Sequence, residues 1–319
     1  MRVLSQRMSL PIAIDVARLA SEVAGLEKDF MRTVPGPFDV KGWDGISLVM
    51  ADGRADDTRS PIPSRRGARP TAALARCPHH AELLEALGAP LLAARLLYLD
   101  RGGNHALHRD PIGFPVGGIR IHLPIVTHQD AEMWLGGERM RWAAGELWYA
   151  DFAFPHRLAN PSPVVRVHLV VDVTITDALL SLFPAESIPD LLAGGVHRFA
   201  QVTRLEPPAL RRFEGRWHLP RRLLVAVPAP EDLHFAQTEE EPGAIVARGP
   251  DGTIAFVLDP VDERTLTIRG YYPGVTFELS DGGGVELVHR GRVHCENDDE
   301  RTPWELFTSK NPLQTTSIA

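Results

Sequence analysis

The chain is short of cysteine. It has two in 319 residues, Cys77 and Cys295, far apart and outside any Cys-x-x-Cys. So few thiols exclude a disulfide framework and fit reduced cysteines in a cytoplasmic protein. Excess positive charge is also missing: 34 Lys and Arg against 41 Asp and Glu leave a net charge of -7. A phosphate-binding face needs the opposite balance, so nucleic acid is not an expected partner. No run reaches the ~18 apolar residues that span a bilayer. The opening MRVLSQRMSLPIAIDVARLA has no apolar core leading to a small-residue cleavage site, so neither a membrane segment nor a leader is expected. HExxH, P-loop, GxSxG and GxGxxG patterns are absent, which removes support for zincin, NTPase, α/β-hydrolase and dinucleotide-binding readings.

What is present is ordinary for a soluble globular chain, with 44% apolar and 24% charged residues. The length allows one or two domains. SLPIAI (9–14) reads as a short strand before Asp15, a good helix N-cap. Val16, Leu19, Val23, Leu26 and Phe30 then follow at helical spacing, up to Pro35-Gly36-Pro37. WDGISLVM (43–50) is a strand candidate. Residues 51–70, rich in Arg, Asp, Pro and Gly, read as a mobile surface loop, with Arg65, Arg66 and Arg69 as a basic cluster able to cover a site as a lid. His79–Leu87 is a short helix, and Cys77-Pro78-His79-His80 reads as its entry rather than as a metal site.

Strands are then expected at 95–99, 120–127, 133–134, 146–150 and 166–174, separated by Gly- and Pro-containing turns. That spacing suggests an antiparallel sandwich or barrel. A helix interrupted by Pro184 and Pro189 follows over 177–194. Beyond Arg216, strand-like segments at 223–227, 244–248, 253–258, 265–269, 275–279 and 285–289 have hairpin turns at GPDG (249–252) and DGGG (281–284). The expected organisation is a domain over 1–195, a linker over 196–219 and a small β-rich accessory domain over 220–310. Glu239–Glu241 reads as a solvated run, and the tail TTSIA as disordered.

Chemistry concentrates in HALHRDPIGFPVGGIRIHLPIVTHQDAEMWLGGERMRWAAGELWYADFAFPHRLANPSPVVRVHLVVD (105–172). Strand alternation puts His108 and Asp110 on one side, as two ligands of one ion require. His156, at a turn after the strand ELWYADF, is the natural third ligand. Two histidines and a carboxylate leave coordination positions open, the arrangement associated with non-haem Fe(II) oxygenases. In RIHLPI, Arg120 and His122 share one face. In RVHLVVDV, Arg166, His168 and Asp172 do. A sheet-embedded arginine among apolar neighbours needs an anion, which a bound dicarboxylate would supply. Asp172 is a candidate partner for Arg166 or Arg120, and Trp148 is core or a pocket wall. No catalytic side chain is singled out beyond the three metal ligands.

The ordered pattern HRD…RIHLPI…GELWYADFAFPH…N…RVHLVVD resembles the aspartyl/asparaginyl β-hydroxylase family of Fe(II)/2-oxoglutarate dioxygenases, in particular the bacterial branch that includes L-proline hydroxylases. The resemblance runs from Leu10 to about Val173 and is strong from Arg95 to Asp172. It implies a mainly β fold: a double-stranded β-helix (a jelly roll, or cupin-like core) with flanking helices. It implies that His108, Asp110 and His156 hold Fe(II), and that Arg166 clamps the distal carboxylate of 2-oxoglutarate. Arg120 and His122 match positions at the co-substrate end of the pocket. The implied reaction consumes O2 and 2-oxoglutarate, with ascorbate as the reductant in vitro, and hydroxylates an unactivated C–H of an amino acid, free or within a peptide. The β-rich segment after 216 departs from the proline hydroxylases, so specificity is to be sought there and in 51–70. Two other readings remain: a non-catalytic cupin-like sensor of a metal or anion, and a metal-dependent cupin enzyme that does not use 2-oxoglutarate.

Overall fold

The computed structural model describes residues 7–26, 30–34, 40–59, 61–193, 195–219, 229–292, 306–312 and 314–315. The chain begins with β1 (Arg7–Leu10) and α1 (Val16–Gly25), and the Asp15 carboxylate accepts from the Arg18 N–H at 3.2 Å as the N-cap. The helix stops at Gly25, short of the expected Phe30, where Leu26 turns extended. Then come β2 (Arg32–Thr33), β3 (Val40–Ala51), β4 (Ala68–Pro70), α2 (Pro78–Ala86), β5 (Leu91–His108), β6 (Gly118–Val126), β7 (Glu132–Leu135), β8 (Glu138–Met140), β9 (Leu147–Ala150), β10 (His156–Ala159) and β11 (Arg166–Thr174). Pro184 splits the expected third helix into α3 (Asp177–Leu180) and α4 (Ile188–Ala193), because proline cannot continue a helical ladder.

The first sheet has the order β1-β9-β6-β11-β5-β10-β7-β8, with β3 along the other side of β5. β5 is the hinge of the arrangement. Its first half pairs with β11, from Leu91 opposite Val173 to Leu99 opposite Arg166. Its last residues pair with β10, His108 opposite His156. Between them the strand bends at Gly102, whose φ of 71° suits glycine, and Gly103, where a Cβ would lie 2.8 Å from the Asp100 carbonyl oxygen. The strand therefore passes from one layer into the facing one, and the sheet curls into a double-stranded β-helix.

Alternation along β6 and β11 sorts the two faces. Ile119, Ile121, Leu123, Ile125, Val167, Leu169, Val171 and Val173 pack outward under α1, α2 and α3. A leucine cut back to alanine in such a layer costs about 2–5 kcal/mol. The polar residues of the same strands face the barrel interior.

The second sheet follows α5 (Pro207–Leu210). Its strands are β12 (Gly215–His218), β13 (Asp232–Ala236), β14 (Ile245–Arg248), β15 (Ile254–Asp262), β16 (Thr265–Ile268), β17 (Val275–Leu279), β18 (Val285–Arg292), β19 (Leu306–Pro312) and β20 (Gln314–Thr315). Each pairs antiparallel with its neighbour in chain order, while β20 pairs back with β12. Because β19 and β20 are one residue apart, this one segment pairs with both ends of the row, β18 over seven residues and β12 over two, and curls the sheet toward a barrel. Phe235, Phe256 and Phe277 fill it, with ring centroids 5.1–6.3 Å apart. The expected hairpins at 249–252 and 281–284 are found, β14 to β15 and β17 to β18. β12 lies inside the segment expected to be linker. The strand expected at 223–227 falls outside the described residues, as do His294, Cys295 and residues 316–319 of the tail. Among the described residues no helix is long and apolar enough to cross a membrane.

The segment 51–70 is tied down rather than loose. Asp57, Thr58 and Ser64 are buried, and Ser47 donates to the Asp57 carbonyl at 2.5 Å. Arg65 pairs with Glu240 and Glu241, and Arg269 donates to the Arg65 carbonyl at 2.6 Å. Local composition made this segment look solvated. Long-range partners beside the second sheet account for the difference; of the expected solvated run, Glu239 and Glu240 are exposed, while Glu241 is drawn inward by Arg65 and Arg269.

Candidate metal centre

His108, Asp110 and His156 come together at the place where β5 and β10 meet. Their candidate donor atoms all lie within 4.8 Å of one another. His108 Nε2 is 3.9 Å from Asp110 Oδ1, and His156 Nε2 is 3.9 Å from Asp110 Oδ2. The imidazole rings are 4.1 Å apart. Asp110 sits just beyond the end of β5, fixed by its N–H to the Phe152 carbonyl at 2.9 Å.

Each histidine is oriented by its own backbone. His108 Nδ1 faces the Ala106 carbonyl at 2.8 Å, and His156 Nδ1 faces the Phe154 carbonyl at 3.0 Å. A carbonyl can only accept, so Nδ1 carries the proton and Nε2 is left with its lone pair. Burial pushes His108 down to about 4, with the nearby His156 adding to the effect, and burial also lowers His156. Both rings are therefore neutral near pH 7, the form that binds a metal. Burial would raise Asp110, but the Arg120 guanidinium and the two histidines hold it down at about 2, so it is ionised.

Arg120 does not face open space. Its Nε and Nη2 donate to Asp172 Oδ1 and Oδ2 at 2.7 and 3.1 Å, and its Nη1 donates to Asp110 Oδ2. Asp172 is also held by Arg95 Nη2 at 3.0 Å. Arg95 was open to the rule that singled out Arg166, a charge among apolar strand neighbours (Ala94, Leu96), yet sequence reasoning passed over it.

Arg166 lies farther along β11, 2% exposed. Its Nε and Nη2 rest on the ring nitrogens of His168 at 3.0 and 2.9 Å, while Nη1 is buried with no hydrogen-bond partner. Burial, the sole cause, pushes this guanidinium down to about 9. Both ring nitrogens of His122 and the Trp142 Nε1 are likewise buried and unpartnered. Such orphaned groups are rare in native interiors. Here they line one interior: His122 stacks on Phe152 at 4.6 Å and lies 5.6 Å from Trp142 and 5.8 Å from His168. A cavity of 480 Å³ reaches Arg166 and His168 past Trp142, Met133 and Met140. The unpartnered donors on Arg166 and Trp142, both at this cavity, fit a small dicarboxylate. The three N and O ligand groups at the junction of β5 and β10 fit a divalent metal.

His168 and Trp142 were not expected as site residues. The shared strand face with Arg166 was the available signal for His168, and Trp142 had none. Trp148 stacks on Trp142 at 5.8 Å and is half-buried.

A second group of donors, Glu22, Cys77 and His80, has a different explanation. Glu22 accepts from the His79 and His80 N–H groups at 2.8 and 3.2 Å and from both Nδ1 atoms at 2.7 and 2.6 Å. Its carboxylate is saturated as the cap of α2, in line with the expected helix entry.

Comparison with known proteins gives one family match. Residues 17–175, about half of the chain, match the model described as aspartyl/asparaginyl beta-hydroxylase. Solved structures with partial likeness include a 2OG-Fe(II) oxygenase-family oxidoreductase from Burkholderia pseudomallei, at 14% identity over 53% of this chain and 85% of that one, with a TM-score of 0.39. Another is a Pseudomonas putida prolyl-4-hydroxylase, at 14% identity over 53% and 91%, with a TM-score of 0.34.

Proposed function

Since the chain belongs to the aspartyl/asparaginyl β-hydroxylase family of 2-oxoglutarate-dependent dioxygenases through residues 17–175, we propose that it hydroxylates an unactivated C–H of an amino acid, free or within a peptide. In this reading His108, Asp110 and His156 hold Fe(II), Arg166 takes the distal carboxylate of 2-oxoglutarate, and His122, packed between Phe152 and His168, belongs to the co-substrate end of the interior. The observation that carries it is the pairing of the three-residue cluster with the unpartnered Nη1 of Arg166 in one barrel interior.

When bound, the iron and co-substrate would supply the oxidising chemistry: 2-oxoglutarate is decarboxylated to succinate and CO2 as O2 is reduced, and one oxygen atom is delivered to the substrate carbon. The chain's own groups bind and orient. Three ligands on one side leave the opposite positions open for co-substrate and O2. The Ala106 and Phe154 carbonyls keep both Nε2 atoms aimed at the ion. Arg166 would form charge-assisted bonds through its planar fork, strengthened by the low dielectric of a buried site. Phe152, Leu135 and Leu158 keep water from the interior. His105 lies beside His108 with ring centroids 3.9 Å apart, and Trp43 packs edge-on against His105 at 5.4 Å. This aromatic border supports a substrate that presents a carbon chain rather than a highly charged group.

The test is turnover with Fe(II), 2-oxoglutarate and ascorbate across free amino acids and a peptide pool. Succinate is measured, and the product is followed by mass spectrometry under 18O2. Succinate formation coupled to insertion of one 18O atom into the product, with the other 18O in succinate, is the expected result. Metal binding without succinate from any pool would instead favour a sensor. Turnover that survives Arg166→Ala unchanged would favour a cupin enzyme that does not use 2-oxoglutarate.

A further inference from the structure

Arg120 and His122 leave β6 on the same face, two residues apart, yet they meet opposite fates. His122 has both ring nitrogens buried and unpartnered. Arg120 has all three guanidinium nitrogens engaged by carboxylates, two on Asp172 and one on Asp110. We propose that Arg120 and Asp172 are positioning residues that fix Asp110 as a one-oxygen metal ligand. This rests on the metal-site reading above and deepens it.

The geometry supports a rigid brace. Asp172 is fully buried and stands opposite Arg120 in the β6–β11 register, so the Asp172–Arg120 fork is set by strand pairing. Arg95, from β5 on the other side of β11, grips Asp172 Oδ2, and its own Nη1 donates to the Thr58 carbonyl at 2.9 Å. Arg120 is therefore clamped along its Nε–Nη2 edge by an aspartate that is itself held, and Nη1 is the nitrogen that reaches Asp110. Its guanidinium also packs over the Phe152 ring at 5.8 Å. The two carboxylate oxygens are equally near the histidines, Oδ1 at 3.9 Å from His108 Nε2 and Oδ2 at 3.9 Å from His156 Nε2, so it is the Arg120 bond to Oδ2 that would leave Oδ1 as the oxygen offered to the ion. A carboxylate so restrained cannot swing to chelate through both oxygens, which keeps a coordination position free for co-substrate or O2. Arg120 acts through Asp110, and Asp172 acts through Arg120.

The experiment is anaerobic titration of the full chain with Co2+ alone, followed by visible absorption, and then with 2-oxoglutarate at saturating Co2+. Arg120→Gln, Arg120→Lys and Asp172→Asn are compared with the wild type. Loss of a group that orients a metal ligand lowers metal affinity by roughly 10–100-fold. That loss is expected for Arg120→Gln and, in the same direction, for Asp172→Asn, which touches neither metal nor Asp110. Arg120→Lys keeps the charge against Asp172 but loses the fork, so an intermediate loss with a changed Co2+ spectrum is expected even if the glutamine variant folds poorly. Co2+ affinity and spectrum unchanged in Arg120→Lys and Asp172→Asn, with only 2-oxoglutarate binding weakened, would overturn the proposal and make Arg120 a co-substrate contact. Absence of Co2+ binding by the wild type would overturn the metal-site reading itself and this proposal with it.

Discussion

Arg166 is the residue whose chemistry is least satisfied by its own protein. Its Nη1 lacks a partner at 2% exposure, and among the described residues no carboxylate forms an ion pair with it. Replacement by lysine keeps a positive charge but removes the planar fork that matches a carboxylate. Arg166→Lys is expected to weaken 2-oxoglutarate binding by about tenfold or more, on the order of 1.4 kcal/mol or above, with little change in metal affinity. A KM for 2-oxoglutarate equal to that of the wild type would contradict the assignment. At this scale the sequence was informative because spacing and alternation act locally. His108, Asp110 and His156 stood out by chemistry and order, and Arg166 by the cost of a buried charge. The same cost does not say which anion compensates it. The family resemblance puts Arg120 at the co-substrate end of the pocket, while Asp172, a partner its strand face offered, and Asp110 engage its guanidinium; Arg95, whose apolar neighbours carry the same signal, completes that network.

Among the elements, α1 and α2 are joined by a single carboxylate. Glu22 on α1 accepts four hydrogen bonds from the first turn of α2, where the helix dipole also favours an anion. Burial would raise its carboxyl, but the bonds from His79 and His80 hold it below the ordinary value. A depressed folded-state value contributes stability that is present above the unfolded carboxylate pKa and lost as pH falls through the folded value. Glu22→Gln is expected to destabilise the protein by about 1–3 kcal/mol near neutrality, since the amide turns NH2 toward donors. It is also expected to flatten the acid limb of the melting curve. A thermal melt identical to the wild type at pH 7 and pH 4 would contradict this. The helices and most strands were legible through periodicity and capping. β5 was not: only residues 95–99 read as strand, because Asp100-Arg101-Gly102-Gly103-Asn104 breaks the alternation where the strand bends between layers. That bend brings His108 opposite His156, so the least legible element is the one that assembles the site.

For the molecule as a whole, the two sheets share apolar surface. Leu92, Ile112 and Val116 join Tyr271, Tyr272 and Val275 in one buried cluster. The contact is close: a Cβ on Gly118 would lie 2.6 Å from the Tyr272 ring, and one on Gly274 would lie 2.7 Å from the Val116 carbonyl oxygen. The Gly274 N–H donates to that carbonyl at 2.8 Å. We propose that the first 195 residues form the dioxygenase domain and that the curled sheet beyond Gly215 serves as its structural buttress, packed against the turn that follows Asp110. Residues 1–195 expressed alone are expected to aggregate or to melt without cooperativity. A soluble, cooperatively folded 1–195 fragment with wild-type Co2+ affinity would contradict that role. None of this was readable from local pattern, because contacts between residues about 150 positions apart leave no periodic trace.

We propose that one interior holds Fe(II) on His108, Asp110 and His156 and anchors 2-oxoglutarate on Arg166. The most direct measurement is anaerobic titration of the Fe(II)-loaded full chain with 2-oxoglutarate, following the visible charge-transfer absorption that a 2-oxo acid chelated to Fe(II) gives. A saturable band is expected in the wild type, no band in His156→Ala, and a band that needs much more 2-oxoglutarate in Arg166→Lys. A wild type that gives no band, or a band undiminished in His156→Ala, would contradict it.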